Sequence, residues 1–361
     1  MFNPSRLILA RKRRRYTGKG LAIKIGVSPV TISRIEKSCN EPDKGTIEAI
    51  AHELKFPVGF FLGEDVDEPR KESVSFRSLS SMSAKERDAA ISAGAIAYLF
   101  SDWVTERFNL PEVDLLDLSH ERDPSHAART LRQYWGLGEK PISNIIKLLE
   151  SKGVKIFSLS ENTKNVDAFS CWRNDVPYIF LNTYKTPERS RFDTGHELAH
   201  LVLHKHGGPK GREAETEANR FAASFLMPES DVISRLPRIS TLDQIIQAKT
   251  RWGVSAAALA YTLHKLGIIS DWQHRTICIE LPKRYGTTEP NGIERERSVV
   301  WEKVLRELWN ERTTKADVAE SLHVPTEEIE NLIFGLTGID QNIDGRLMEI
   351  ANRKPVLKIV R

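Results

Sequence analysis

The stretch His196-Glu197-Leu198-Ala199-His200 constrains this chain more than any other. Thr186-Pro187 reads as an N-cap followed by the proline that suits a first helical position, so a helix is expected to begin there and run through the motif. Phe192, Leu198, Ala199, Val202 and Leu203 give that helix an apolar face. Histidines four residues apart stack on one side of a helix and can share a tetrahedral ion. Neutral imidazoles hold a zinc ion and leave a position open, where a water's pKa falls from ~16 towards ~7. Glu197, beside the first histidine, is placed to take the water's proton during attack on a peptide carbonyl without itself ligating.

Two histidines need a third ligand. His206 stands six residues after His200, a spacing that resembles the metzincin proteases, but Leu203 occupies the midpoint where that family has a glycine to turn the chain. His204 would continue the row around the helix axis and suits an outer-shell role better, with Asp193 a further candidate for one. The next helix is expected over Glu213–Met227, closed by Pro228, with a buried stripe of Ala214, Ala218, Phe221, Ala222 and Phe225. Glu217 reads as lying within that stripe and Glu215 as pointing away from it. A carboxylate on an apolar face is costly unless paired or metal-bound. Glu217 is therefore the expected third ligand, with Glu213 the second choice. For the group that stabilises a developing oxyanion, Tyr184 and His204 are the candidates.

These residues resemble the ImmA/IrrE-type metallopeptidases. The match lies in Arg191-Phe192, in His196 through His204, in Glu217-Ala218-Asn219-Arg220-Phe221-Ala222 with Leu226-Met227-Pro228, in Val166–Ser170 upstream, and in Trp252-Gly253-Val254-Ser255 downstream. The resemblance implies a compact gluzincin-like protease with one zinc ion per chain, His196, His200 and Glu217 as ligands and Glu197 as base. It also implies a transcriptional repressor as the protein substrate. Asn219 would orient the ligand helix.

Residues 1–40 hold ten basic side chains against one acid, Glu36, although the whole chain carries only +4. A basic end on a nearly balanced chain is the footprint of a polyanion-binding module. Thr17 caps an expected helix with Leu21, Ala22 and Ile25 buried. Gly26-Val27 turns the chain, and Ser28-Pro29 starts a second helix with Ile32 and Ile35 facing inward. This stretch resembles the Xre/Cro-like helix-turn-helix family over about residues 5–66, which implies a DNA operator as partner. Ser28, Val30, Thr31, Ser33, Arg34 and Lys19 are the expected DNA contacts. Gly18 stands where that family commonly has a glutamine.

The organisation read from these signals is a helix-turn-helix domain at 1–66, a linker at 67–86, a metallopeptidase domain at 87–295 and a helical region at 296–361. The expected fold is mostly α with a small β-sheet (α+β). Helical periodicity at Ala89–Phe108 and short strands at Val154–Leu159, Ala168–Trp172 and Tyr178–Leu181, the last two a hairpin, underlie it. If one hairpin strand is an edge, an extended peptide can add to it.

Thr314–Leu322 overlays Thr17–Ile25 without a gap, and Ile329 and Leu332 match Ile32 and Ile35, while positions 327, 328 and 330 are all glutamate. That outward face would repel phosphates, so a protein-contact module is expected there, serving a homodimer or holding the protease. Cys39, Cys171 and Cys278 form no pairing or metal-knuckle spacing, and no signal segment precedes the basic run. The expected compartment is the cytoplasm, with no membrane partner. The expected function is a DNA-binding regulator with a zinc endopeptidase. The alternative is a non-enzymatic, antitoxin-like repressor whose zinc is structural or sensory, and self-cleavage of the linker is a third reading.

Overall fold

The computed structural model describes residues 1–69, 83–159, 168–206, 211–239 and 241–338. Within them lie sixteen α-helices and one three-stranded sheet, in agreement with the expected α+β class. Most of the expected linker, and Val166-Asp167 of the matched motif, fall outside the described residues, as does the Gly207-Gly208-Pro209 segment that is expected to break the chain between the two helices.

The N-terminal helices are α1 (Pro4–Arg13), α2 (Gly18–Lys24), α3 (Pro29–Glu36) and α4 (Lys44–Leu54). Each start has its own cap: the side chains of Asn3, Thr17, Ser28 and Asp43 accept from Ser5, Gly20, Thr31 and Asp43's partner Thr46 respectively. Leu7, Leu21, Ile32, Ile50 and Phe60 close a core between them. At Gly26 the backbone takes φ +73°, the left-handed turn that separates α2 from α3.

The long helix α5 (Ala84–Thr105) starts before the expected Ala89, because Ser83 and Glu86 form a reciprocal capping box. Next come α6 (Pro124–Tyr134), α7 (Ile145–Ser151), β1 (Lys155–Ser158), β2 (Phe169–Arg173) and β3 (Val176–Leu181). The sheet order is β1-β3-β2, with β1 parallel and β2 antiparallel to β3, so β2 is an edge strand. The hairpin turns at Asn174 and Asp175, both at positive φ, as a two-residue hairpin loop requires. Period-two alternation then divides β2 between two helices. Cys171 accepts or donates a bond with Tyr98 of α5 at 3.0 Å, while Ser170 and Trp172 reach the opposite layer.

That opposite layer is α8 (Pro187–Leu203), which lies against α9 (Arg212–Leu226). At Gly195 an added Cβ would stand 3.6 Å from both Ala222 Cβ and Leu226 Cδ1. The absence of a side chain there lets the two helices approach closely. Arg191 anchors α8 from within, donating to the carbonyls of Trp252 and Ile142 and to Glu296.

The remaining helices are α10 (Glu229–Arg235), α11 (Leu242–Ala248), α12 (Ala256–Lys265), α13 (Asp271–Tyr285), α14 (Val299–Asn310), α15 (Lys315–Ser321) and α16 (Thr326–Ile333). The last two have the lengths of α2 and α3, 7 and 8 residues, and His323 takes the left-handed φ of +53° at the place of Gly26. Two short helices and a left-handed turn thus repeat the pattern of α2 and α3, but the acidic face is not all outward. Glu328 is 1% exposed and binds Arg13 at 2.7 Å and Arg14 at 2.6 Å, both at the end of α1. The module also covers the approach to α8: Phe334 packs on Tyr184, and Gly335 abuts Thr183.

Candidate metal centre and nucleic-acid interface

On α8, His196, Glu197 and His200 are 0%, 1% and 7% exposed. The Nε2 atoms of the two histidines are 3.1 Å apart. The third member of the cluster is Glu215, whose Oε2 is 3.2 Å from His196 Nε2 and whose Oε1 is 3.5 Å from His200 Nε2. Ligands about 2.0–2.1 Å from a tetrahedral ion stand about 3.3 Å apart. Two imidazole nitrogens and a carboxylate at these separations fit a divalent cation of the zinc type. His196, His200 and Glu215 are also the group of metal-binding character found among the described residues.

Glu217, expected as the ligand, is elsewhere: its Oε2 is 3.0 Å from His204 Nε2. The helical wheel explains the correction. The buried face of α9 includes Leu226 in addition to the five residues of the expected stripe. At about 100° per residue, Glu215 falls between Ala222 and Leu226, whereas Glu217 lies beyond Phe221 on the far flank. Ala222 and Leu226 are the residues that meet Gly195, so Glu215 faces the histidines across the close contact. Glu213, the second choice, is exposed.

Polar groups surround the cluster. His196 Nδ1 lies 3.2 Å from Asn219 Oδ1, one helical turn after Glu215, and His200 Nδ1 lies 2.8 Å from His204 Nδ1. Ser170 Oγ donates to Glu197 Oε2 at 2.7 Å, tying the carboxylate to the edge strand. Sequence reasoning missed Ser170 and Glu215. The alternation of β2 was the available signal for the first, and the full wheel of α9 for the second. Burial draws His204 below the usual imidazole range, against the pull of Glu217.

The other candidates have separate duties. Asp193 pairs with Lys185 at 3.1 Å and Arg189 at 3.3 Å, His206 with Asp117 at 2.8 Å, and Tyr184 packs against Phe334 in a tilted arrangement. Burial pushes the Cys171 thiol up to about 12, which suits a packing role rather than a reactive one.

At the N-terminal module, Val30, Ser33 and Arg34 are exposed on the outer face of α3, and Lys19 is exposed at the start of α2. The Ser28 hydroxyl caps α3 and bonds the Thr31 hydroxyl at 2.8 Å. The basic run is less available than its sequence suggests. Arg11 pairs with Glu36, Arg13 and Arg14 with Glu328, and Arg6 donates to the Glu64 carbonyl. Lys19, Lys24, Arg34 and Lys37 remain exposed around α2 and α3.

Comparison with known families agrees with these two centres. Residues 149–264 match the IrrE N-terminal-like domain of the M78 peptidases, and residues 7–61 match a helix-turn-helix domain. The chain is thus similar to a helix-turn-helix domain in its first part and to an ImmA/IrrE-type domain in its middle. No curated protein matched it in sequence comparison. The helix-turn-helix match supports a DNA-binding role and the M78 match a metallopeptidase-type domain. No described helix is long and apolar enough to cross a membrane.

Proposed function

We propose that this protein is a transcriptional regulator that binds an operator through α3 and carries a zinc-dependent endopeptidase acting on another regulatory protein, of the repressor class. The observation that carries the reading is the convergence of His196, His200 and Glu215 with an adjacent Glu197 that is not part of the cluster. A purely structural zinc site has no use for a base at that position. One zinc ion, bound by those three residues, would supply Lewis acidity and an acidified water. Glu197 would take up a proton at its carboxylate and return it to the leaving amine. Ser170 orients that carboxylate, and the edge strand β2 offers backbone groups to an extended peptide within reach of it.

The experiment is metal analysis of the purified protein, followed by digestion of candidate repressors by wild type and Glu197→Gln. Glu197→Gln should keep its metal and lose at least about 100-fold in cleavage. Equal cleavage by both proteins would remove Glu197 as the base. One observation favours the second reading, a non-enzymatic repressor with structural or sensory zinc: Glu197 is enclosed and already hydrogen-bonded to Ser170. Bound zinc with no Glu197-dependent cleavage of any candidate, the chain itself included, would decide for that reading.

A further inference from the structure

His204 and Glu217 touch the metal centre without joining it, and the direction of their hydrogen bonds is constrained by the chemistry of His200. To offer Nε2 to a cation, His200 must be neutral with its proton on Nδ1. That proton is aimed at His204 Nδ1, 2.8 Å away, which must then present a lone pair. His204 accordingly carries its own proton on Nε2, directed at Glu217 Oε2 at 3.0 Å. A carboxylate at the end of the chain only accepts, so it selects one order of protons along all three residues. In the reversed order His200 would place its proton on Nε2, facing His196 Nε2 at 3.1 Å, and would no longer be a ligand. His196 is held differently, by the neutral amide oxygen of Asn219.

We propose that His204 and Glu217 are positioning residues: a carboxylate-terminated relay that locks His200 in the tautomer able to bind metal. The assignment rests on the metal-centre reading above and extends it to residues of α8 and α9 that hold no metal themselves. It also gives Glu217 a role that accounts for an acid on the far flank of α9, where it is only partly exposed. Metal-binding histidines are commonly oriented in this way by a carboxylate, and losing such a partner costs 10–100-fold in affinity.

The test uses the full chain and zinc itself. Zinc affinity is measured by chelator competition for wild type, Glu217→Gln, Glu217→Leu and Glu215→Ala, and the His200 tautomer is read in zinc-free protein by long-range proton–nitrogen NMR. The expected result is one zinc per wild-type chain and affinity roughly 10–100-fold weaker in Glu217→Leu, with stoichiometry kept. Glu217→Gln, whose amide oxygen still accepts, should recover most of that loss. Zinc-free wild type should show His200 protonated on Nδ1, and Glu217→Leu a mixture of tautomers, a change that a packing role would not produce. Unchanged affinity and tautomer in Glu217→Leu would overturn the relay alone. Loss of the bound ion in Glu217→Leu, with retention in Glu215→Ala, would make Glu217 a ligand and also overturn it. A wild type that takes up no zinc would instead bring down the metal-centre reading on which the relay depends.

Discussion

Replacing Glu328 by glutamine should loosen the whole molecule, because one carboxylate joins the first helix to the last described one. Glu328 is 1% exposed and holds Arg13 Nε at 2.7 Å and Arg14 Nη1 at 2.6 Å. Arg14 is fixed further by donation to the Leu54 carbonyl at 2.9 Å and by the Phe56 ring, 5.0 Å below its guanidinium. Removing one partner of a buried pair costs about 3–5 kcal/mol, since the other is left charged and unpaired. The arginine side chains retain 9% and 19% exposure and can partly rehydrate, which lowers the expectation to about 2–4 kcal/mol. Glutamine keeps the size and one acceptor but turns an amide N–H₂ towards a guanidinium. Urea unfolding followed by tryptophan fluorescence reads the change. A double-mutant cycle of Glu328→Gln with Arg13→Ala isolates the pair, with an expected coupling of at least about 1 kcal/mol. Stability within about 0.5 kcal/mol of wild type would refute the argument, because it would mean that the two modules do not hold each other through this contact.

The same contact makes a statement about DNA. Lys19→Ala should lower the salt dependence of DNA binding by about one unit of slope, whereas Arg13→Ala should leave that slope unchanged; Arg34→Ala should cost about 1–3 kcal/mol on a selected site. Mobility-shift titrations across a salt series check all three, and a reduced slope for Arg13→Ala would show that Arg13 leaves Glu328 for a phosphate. At the base of the peptidase-type domain, Asp231 accepts two bonds from Arg251 and one from Trp252 Nε1 at 2.9 Å. The Arg251 hydrogen bond chiefly, and Trp252 after it, hold the Asp231 carboxyl below its ordinary value, although burial works the other way. A depressed carboxylate stabilises the fold fully above its unfolded pKa and loses that contribution as pH falls through the folded one. Asp231→Asn should therefore destabilise by about 1.5–3 kcal/mol at neutral pH, and its deficit should close in acid below pH ~4. A deficit independent of pH would contradict the assignment.

How much of this was legible in the sequence varied with the range over which the signal acts. Caps and turns are local, and Thr17, Ser28, Thr186 and Gly26 mark the helix starts and the turn where they stand in the structure. The histidine pair is equally local, because a four-residue step on a helix fixes both side chains on one face. The choice between Glu215 and Glu217 is not. It depends on where the buried arc of α9 is centred, and omitting Leu226 moves that centre away from Glu215 and towards Glu217. The repeat at Thr314–Leu332 could be read from its core pattern, yet the fate of its glutamates could not. Glu328 meets two guanidinium groups from α1, a helix more than 300 residues away in the sequence. For the same reason the basic run overstated the charge that stands free, as Arg13 and Arg14 meet their partner in a distant part of the chain. Ser170 needed the sheet order before its neighbour Glu197 could be named.

The placement of the last helices has a consequence for synthesis. A chain made from its N-terminus releases Arg13 315 residues before Glu328. Glu150 emerges 148 residues before Ser298, whose hydroxyl and following amides it binds. Phe100 and Phe157 must likewise await Trp301, which stacks on the first ring and lies tilted against the second. Until those residues leave the ribosome, the sheet behind the histidine helix has an open flank, and two arginines of the first helix keep their charge for whatever polyanion is nearby. The contacts of residues 298–301 and of Glu328 are therefore among the last to form, and the two arginines are neutralised only then.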